Sequence, residues 1–267
     1  MDTHDAAPLA FDRAGPSGDL PVVLVHAGIA DRRMWDPQWP ALSASRDCVR
    51  VDLRGFGGST AAPSGAVSHV DDLAATLDAL DIDRCHLVGA SLGSGVAVEL
   101  ALTRPDVVES LVLAPPGGSL LAELTADLRA FIDAEDAALA SGDLDAATHA
   151  NVSAWVIGPG RSDADVSPVV LDQVRQMQRR AFEIQLPWGD VEAAELEPPA
   201  AERLGEVAAR TLVLIGTHDL ETAKEAARRV SSTVPGARLV QWPDVAHLPS
   251  MERPDDFLAL LQEWLVA

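Results

Sequence analysis

A serine enclosed by glycines, between a predicted strand and a predicted helix, constrains this chain more than any other feature. Residues 86–95 read HLVGASLGSG, in which Gly89, Ser91 and Gly93 form a G-x-S-x-G pattern. A serine in such a tight turn takes a strained backbone and presents its hydroxyl at the carboxyl edge of the sheet. The pattern therefore predicts Ser91 as a nucleophile. The alternative is a simple strand-to-helix turn that carries a serine by chance.

Strand-like apolar runs alternate with amphipathic segments along the first part of the chain. The predicted strands are Val22–Val25, Val49–Leu53, His86–Val88 and Val107–Leu113. Strands separated by helices pair in parallel, because a parallel connection needs a long crossover. The runs are nearly continuous in Val and Leu, as expected when helices cover both faces of the sheet. These features predict an α/β fold with a mostly parallel sheet flanked by helices.

The alternation stops in the middle of the chain, where the apolar residues follow helical spacing and no strand is predicted. Strand-like runs resume with Thr211–Ile215 and Ala237–Trp242. The prediction is therefore one core domain in two parts, residues 1–118 and residues 200–267, interrupted by a helical lid at residues 119–199.

Composition excludes several classes of function. The chain has 267 residues, long enough for one large domain, and 41 acidic against 20 basic side chains give a net charge of −21. Such a charge opposes binding to nucleic acid and to anionic membrane surfaces. No apolar run approaches the length needed to cross a bilayer. The absence of CxxC and HxxxH spacings argues against a metal site, and Cys48 and Cys85 are expected to be buried small hydrophobes.

The first residues predict a cytoplasmic location. The segment Met1–Pro8 carries Asp2 and Asp5, and it lacks the basic cluster and apolar stretch of a secretory signal.

Four motifs, in order, resemble those of the α/β-hydrolase superfamily. They are VVLVHAGIADRRMW (22–35), VDLRGFGGS (51–59), HLVGASLGSG (86–95), and the pair TLVLIGTHD (211–219) and VAHLPSMERPDDF (245–257). The resemblance is to the lid-bearing branch of esterases, enol-lactonases, carbon–carbon bond hydrolases and cofactor-free haloperoxidases. It spans nearly the whole chain, and it implies an α/β-hydrolase fold with the helical lid inserted after the sixth strand.

The resemblance also implies a catalytic triad in the chain order Ser, acid, His. Asp219 follows the first strand after the lid, and His247 follows the last strand. In this chemistry His247 takes the proton of the Ser91 hydroxyl, and Asp219 orients the imidazole and stabilises its charged form. Asp244, on the same loop as His247, is a weaker rival to Asp219.

Backbone N–H groups on two loops are the expected oxyanion donors. Leu92 follows the nucleophile, and its N–H is expected to point at the developing oxyanion. Gly28, after the first strand, is the second donor if His26 aligns with the family histidine. If the loop is shifted by one residue, Ile29 takes that role. His26 itself is expected to brace the loop.

Five apolar side chains are candidates for lining a substrate pocket: Trp35, Trp155, Trp188, Leu220 and Leu248. A place in the core is the alternative for each. A pocket lined by several of them would be apolar and would suit an uncharged acyl group. Among the remaining histidines, His86 is expected to be structural, whereas His69 and His149 are expected to be exposed on helices.

The resemblance implies hydrolysis of a small carboxylic ester or lactone through an acyl-enzyme, with no cofactor and no metal. Carbon–carbon bond hydrolysis of a diketone-like substrate and perhydrolysis are alternatives on the same residues. A non-catalytic ligand-binding protein is an alternative from another class. Epoxide hydrolases and haloalkane dehalogenases are disfavoured, because those relatives carry Asp where this chain has Ser91. The acyl and alcohol groups and the oligomeric state are not specified by the sequence.

Overall fold

Seven strands form one sheet in the computed structural model, which describes residues 6–266. They are β1 (Ala10–Ala14), β2 (Val22–Val25), β3 (Cys48–Asp52), β4 (Cys85–Ser91), β5 (Val108–Pro116), β6 (Arg210–Gly216) and β7 (Arg238–Trp242). Their order across the sheet is β1-β3-β2-β4-β5-β6-β7. Strand β1 pairs with β3 in antiparallel orientation, and every other pairing is parallel. The mostly parallel sheet is therefore confirmed. The prediction drawn from Asp2 and Asp5 lies outside the described residues.

Nine α-helices connect or flank these strands in the described part of the chain. They are α1 (Trp39–Ser43), α2 (His69–Ala79), α3 (Leu92–Thr103), α4 (Ala126–Ala140), α5 (Leu144–Asn151), α6 (Pro168–Gln185), α7 (Glu221–Thr233), α8 (Pro249–Glu252) and α9 (Pro254–Val266). A π-helical turn, Val152–Ile157, follows α5 directly. Between residues 6 and 266, no helix is both long and apolar enough to cross a membrane.

Alternate residues of the central strands enter two separate apolar clusters, one on each face of the sheet. In β2, Val23 and Val25 belong to the cluster that includes residues of α2, α3 and α7, whereas Val22 and Leu24 belong to the cluster that includes residues of α1 and α9. All four side chains are fully buried. Burial on both faces is the physical reason for the continuous apolar runs that predicted these strands.

The helical segment between β5 and β6, residues 117–209, is called the insertion below. It contains α4, α5, the π-helical turn and α6, in agreement with the helical spacing of its apolar residues. It follows the fifth strand of the described chain, so the expected place after the sixth strand is wrong. The family resemblance implies one more strand before the lid than residues 6–266 contain. The predicted boundaries of the core and the lid stay a prediction.

Two glycines allow β4, α3 and the loop after β2 to meet at the end of the sheet. A Cβ added at Gly89 would lie 2.3 Å from the carbonyl oxygen of Gly93, and one added at Gly93 would lie 2.5 Å from that of Val25. The Gly93 N–H also donates to the His26 carbonyl oxygen over 3.2 Å. Any side chain at either glycine would therefore push apart the backbone segments that hold Ser91.

We expect Gly93→Ala to lower the free energy of unfolding by about 1–3 kcal/mol, because the added methyl group would overpack rigid backbone. Gly205→Ala is the matched control, since a Cβ there meets nothing within 4 Å. Its effect should stay within about 0.5 kcal/mol. Urea denaturation of both variants measures the difference, and equal stabilities would contradict the close approach described here.

Candidate active site

Ser91 occupies the junction of β4 and α3 in a conformation that is unusual for a residue with a side chain. Its φ is +52° and its ψ is −114°. A positive φ strains a serine and is tolerated where the surrounding structure enforces it. Gly117 lies against it, since a Cβ added there would be 2.8 Å from the Ser91 Oγ atom. The half-buried Ser91 lines a cavity of about 630 Å³.

Asp219 and His247 follow the ends of β6 and β7, and their side chains are in contact. Nδ1 of His247 lies 2.8 Å from each carboxylate oxygen of Asp219, and both side chains are buried. The carboxylate also accepts a hydrogen bond from the Leu220 N–H over 2.8 Å. Because Nδ1 donates to Asp219, Nε2 is left as the acceptor of a neutral imidazole.

The Nε2 atom of His247 faces no competing partner. It is buried, and it makes no hydrogen bond with any described residue. His247 lines the same cavity as Ser91. The rival carboxylate of Asp244 is 94 % exposed and lies 3.9 Å from His218 instead. Of the two candidate acids, Asp219 is therefore the one that contacts His247.

The insertion contacts His247 directly through Trp155. The backbone N–H of His247 donates to the Trp155 carbonyl oxygen over 3.1 Å, and the centroids of the imidazole and indole rings are 4.4 Å apart. Trp155 belongs to the π-helical turn, an irregularity that occurs often at functional sites. The imidazole is thus held by the core on one side and by the insertion on the other.

A buried ion pair makes a second connection between the insertion and the His247 loop. Nη2 of Arg161 lies 2.6 Å from Oε2 of Glu252, and both side chains are 6 % exposed. The other Glu252 oxygen accepts the N–H of Ala246, the residue before His247, over 2.8 Å. Burial raises the pKa of Glu252, and the charge and hydrogen bond of Arg161 oppose that rise.

His26 braces the loop that carries the predicted oxyanion donors. Its Nδ1 donates to the Ala27 carbonyl oxygen over 2.8 Å, and its Nε2 accepts the Leu53 N–H over 2.9 Å. Burial lowers the pKa of His26, which favours the neutral ring that these two bonds require. Gly28 and Ile29 both line the cavity beside Ser91.

The predicted pocket residues divide into three groups. Trp155 lines the cavity, as predicted. The prediction is wrong for Trp35, Leu220 and Leu248, which are buried in the apolar cluster beneath the site. Trp35, for example, is fully buried and packs 5.9 Å from the ring of Phe257. Trp188 lines a neighbouring cavity of about 290 Å³ rather than the one that contains Ser91.

Helices of the insertion supply cavity residues that the sequence patterns did not indicate. The apolar ones include Phe131, Leu139 and Phe182. The polar ones include Glu135, Asn151 and Gln178, one from each of α4, α5 and α6. The condition for the expected apolar pocket is therefore not met, because one of the five candidates, Trp155, lines this cavity and its lining is mixed.

His69, His86 and His149 are not among the residues that line the cavity containing Ser91. His86 is buried, with Nδ1 2.8 Å from Ser110 Oγ, which agrees with the structural role predicted for it. His149 is exposed, as expected. The expectation for His69 is wrong, because this side chain is partly buried and burial lowers its pKa to about 4.

Comparison with known proteins agrees with the fold. The model of the alpha/beta hydrolase family matches residues 22–260. The chain belongs to this family. It is 29 % identical over 253 residues to the "Putative carbamate hydrolase RutD" of Pantoea ananatis, covering 93 % of this chain and 90 % of that protein. It is 30 % identical over 259 residues to the "Putative non-heme bromoperoxidase BpoC" of Mycobacterium tuberculosis, covering 92 % and 93 %.

A solved structure of an esterase from Thermogutta terrifontis is also similar. Its TM-score is 0.77 at 26 % identity, over 98 % of this chain and 96 % of that one. The family and the alpha/beta hydrolase fold are therefore shown for this chain.

We expect Arg161→Met to lower the free energy of unfolding by about 3 kcal/mol, because it leaves the buried Glu252 carboxylate without its charged partner. Arg175→Met is the matched control within the insertion. Arg175 pairs with Asp163 and Asp172 at the surface, where ion pairs contribute about 0.2–1 kcal/mol. Chemical denaturation compares the two variants, and a larger loss for Arg175→Met would contradict the assignment.

Proposed function

We propose that this chain hydrolyses a small carboxylic ester or lactone through an acyl-enzyme formed on Ser91. One observation carries the proposal. The Asp219–His247 pair leaves a buried, unpartnered Nε2 atom in the same cavity as a serine on a strained strand-to-helix turn. A nucleophile, a base and an orienting carboxylate are the three groups that acyl transfer to serine requires.

The reaction would proceed in two halves. The Ser91 Oγ atom attacks the carbonyl carbon while its proton passes to Nε2 of His247, and Asp219 stabilises the imidazolium. The resulting oxyanion accepts hydrogen bonds from the N–H groups of Leu92 and Gly28, with Ile29 as the alternative to Gly28. The carbon–oxygen bond to the alcohol then breaks, and the alcohol leaves with the proton from His247.

Water completes the cycle. It loses a proton to His247 as it attacks the acyl carbon, and the Ser91 Oγ atom leaves with that proton while the carboxylic acid forms. In a lactone the alcohol and the acid belong to one molecule, so the same steps open the ring. The similarity to the Thermogutta terrifontis esterase supports this chemistry.

Perhydrolysis is the second candidate, favoured by the similarity to the protein named as a bromoperoxidase. Hydrogen peroxide would replace water in the second half, and a peracid would form instead of the acid. Both candidates use the same acyl-enzyme, so the choice depends on which molecule reaches the acyl carbon.

We expect Ser91→Ala to lower kcat for p-nitrophenyl esters by about 10⁴-fold or more, because the acyl-enzyme cannot form. A chain-length panel of these esters measures the effect, and Ser232→Ala, at an exposed position on α7, is the control that should keep wild-type turnover. A fluorophosphonate probe should label Ser91 in the wild type. Turnover that survives the substitution would overturn Ser91 as the nucleophile, whereas an unlabelled Ser91 together with no ester turnover by the wild type would favour a non-catalytic binding protein.

We also expect Asp219→Asn to lower kcat by on the order of 10⁴-fold, because an amide does not hold the imidazole in the required tautomer or stabilise its charge. Asp244→Asn tests the rival acid and should leave kcat unchanged. Each variant replaces one carboxylate oxygen by an NH2 group, so the chemical change is the same at both positions. A comparable loss of kcat in both variants would overturn the assignment of Asp219.

A further inference from the structure

Three polar side chains of the insertion line the cavity that contains Ser91 and His247. They are Glu135, Asn151 and Gln178. Each comes from a different helix, so α4, α5 and α6 converge at this wall of the cavity. The reaction proposed above uses none of them. We call these three residues the polar cluster.

Asn151 holds Glu135 in place. Its Nδ2 atom donates to Oε1 of Glu135 over 2.5 Å and to the carbonyl oxygen of Ala147 over 3.0 Å. Because Asn151 is only 3 % exposed, its amide has little contact with solvent, and its hydrogen bond holds the Glu135 carboxylate in position. Within residues 6–266 no basic side chain forms an ion pair with Glu135. Burial raises the pKa of this carboxyl group, as expected for an acid that has no cationic partner.

Gln178 is buried without a partner. The residue is 4 % exposed, and its Oε1 atom is buried and accepts no hydrogen bond from the described residues. Leaving a buried amide oxygen unpaired costs about 1–3 kcal/mol, and proteins rarely retain such a group unless something else satisfies it. A ligand in the cavity that donates a hydrogen bond would remove this cost.

The lining of the cavity favours a ligand group that donates a hydrogen bond over a negatively charged group. The polar groups beside the apolar lining include the carboxylates of Glu135 and Asp190, and no Lys or Arg lies among its lining residues. Carboxylate and amide oxygens accept hydrogen bonds. A negatively charged group at this wall would be repelled by the Glu135 carboxylate and would be disfavoured.

We infer that the polar cluster is a specificity site, which binds a hydroxyl or N–H group that the substrate carries at a distance from its reacting carbonyl. The inference rests on the proposed function, and it narrows the substrate to esters or lactones with a polar, uncharged or cationic end. Glu135 and Gln178 contact that group, and Asn151 is a positioning residue for Glu135.

The test compares esters that differ by a hydroxyl in place of a methyl group. One pair carries it on the acyl chain, p-nitrophenyl 6-hydroxyhexanoate against heptanoate, and longer pairs extend the series. A second pair carries it on the alcohol, 6-hydroxyhexyl acetate against heptyl acetate. The p-nitrophenyl monoester of adipic acid supplies an anionic end. In the wild type we expect kcat/KM to favour the hydroxyl by about tenfold or more in one of the two pairs, and to be lowest for the anion.

Two variants on α6 test whether the preference for the hydroxyl ester depends on Gln178. Gln178→Leu removes the hydrogen-bonding group at nearly constant volume, so the hydroxyl preference should fall to near unity. Gln176→Leu, at an exposed position on α6, should leave it unchanged. Thermal unfolding of both variants checks that they remain folded. A wild type that prefers the methyl group in both pairs, or a preference that survives Gln178→Leu, would overturn the inference.

A binding measurement tests the specificity site independently of the proposed hydrolysis. Ser91→Ala protein, with and without Gln178→Leu, is titrated calorimetrically with methyl 6-hydroxyhexanoate, methyl heptanoate, 6-hydroxyhexyl acetate and heptyl acetate. Tighter binding of a hydroxyl ester that depends on Gln178 supports the specificity site even if the wild type hydrolyses no ester. Equal binding of both members of each pair would overturn the site even if Ser91 proves to be the nucleophile.

Discussion

The buried contact between Asp219 and His247 is the interaction on which the rest of the site depends. A carboxylate with no exposure to solvent needs partners for its charge, and it has the His247 ring and the Leu220 N–H. The contact joins the loops after β6 and β7, which are neighbouring parallel strands whose carboxyl ends meet at one edge. The sheet thus fixes the distance between the loops, and the pair fixes which nitrogen of the imidazole faces the cavity.

The insertion completes this arrangement rather than merely covering it. The Trp155 carbonyl oxygen accepts the His247 N–H, and the Arg161–Glu252 pair holds the preceding residue, Ala246. A movement of the π-helical turn would therefore displace the imidazole as well as the cavity wall. Substrate fit against α4, α5 and α6 and the position of the predicted base are coupled through these contacts, because both depend on the same segment of chain.

Much of the fold could be predicted because burial on both faces leaves a strong pattern, as in Val22–Val25. Strand β1 was missed because it is an edge strand with an exposed Phe11 and an alternating, partly polar sequence. The contact of Asp219 with His247 could be predicted because the family resemblance implies that the acid and the base follow these two strands. The place of Trp35 could not, because an aromatic residue near a motif fits the core beneath a site as well as the wall of the site.

The polar cluster shows which signal a periodicity argument overlooks. The apolar stripe of α6 contains Val174 and Phe182, and Gln178 lies between them at the same four-residue spacing. A polar side chain on a buried stripe is expected to hydrogen-bond to another part of the protein or to a ligand. Sequence spacing shows that Gln178 faces inward, but only the folded chain shows that it faces a cavity rather than another helix. Gln178, the polar exception in the apolar stripe, therefore says more about the ligand than the stripe itself does. The apolar neighbours would fit any uncharged acyl group.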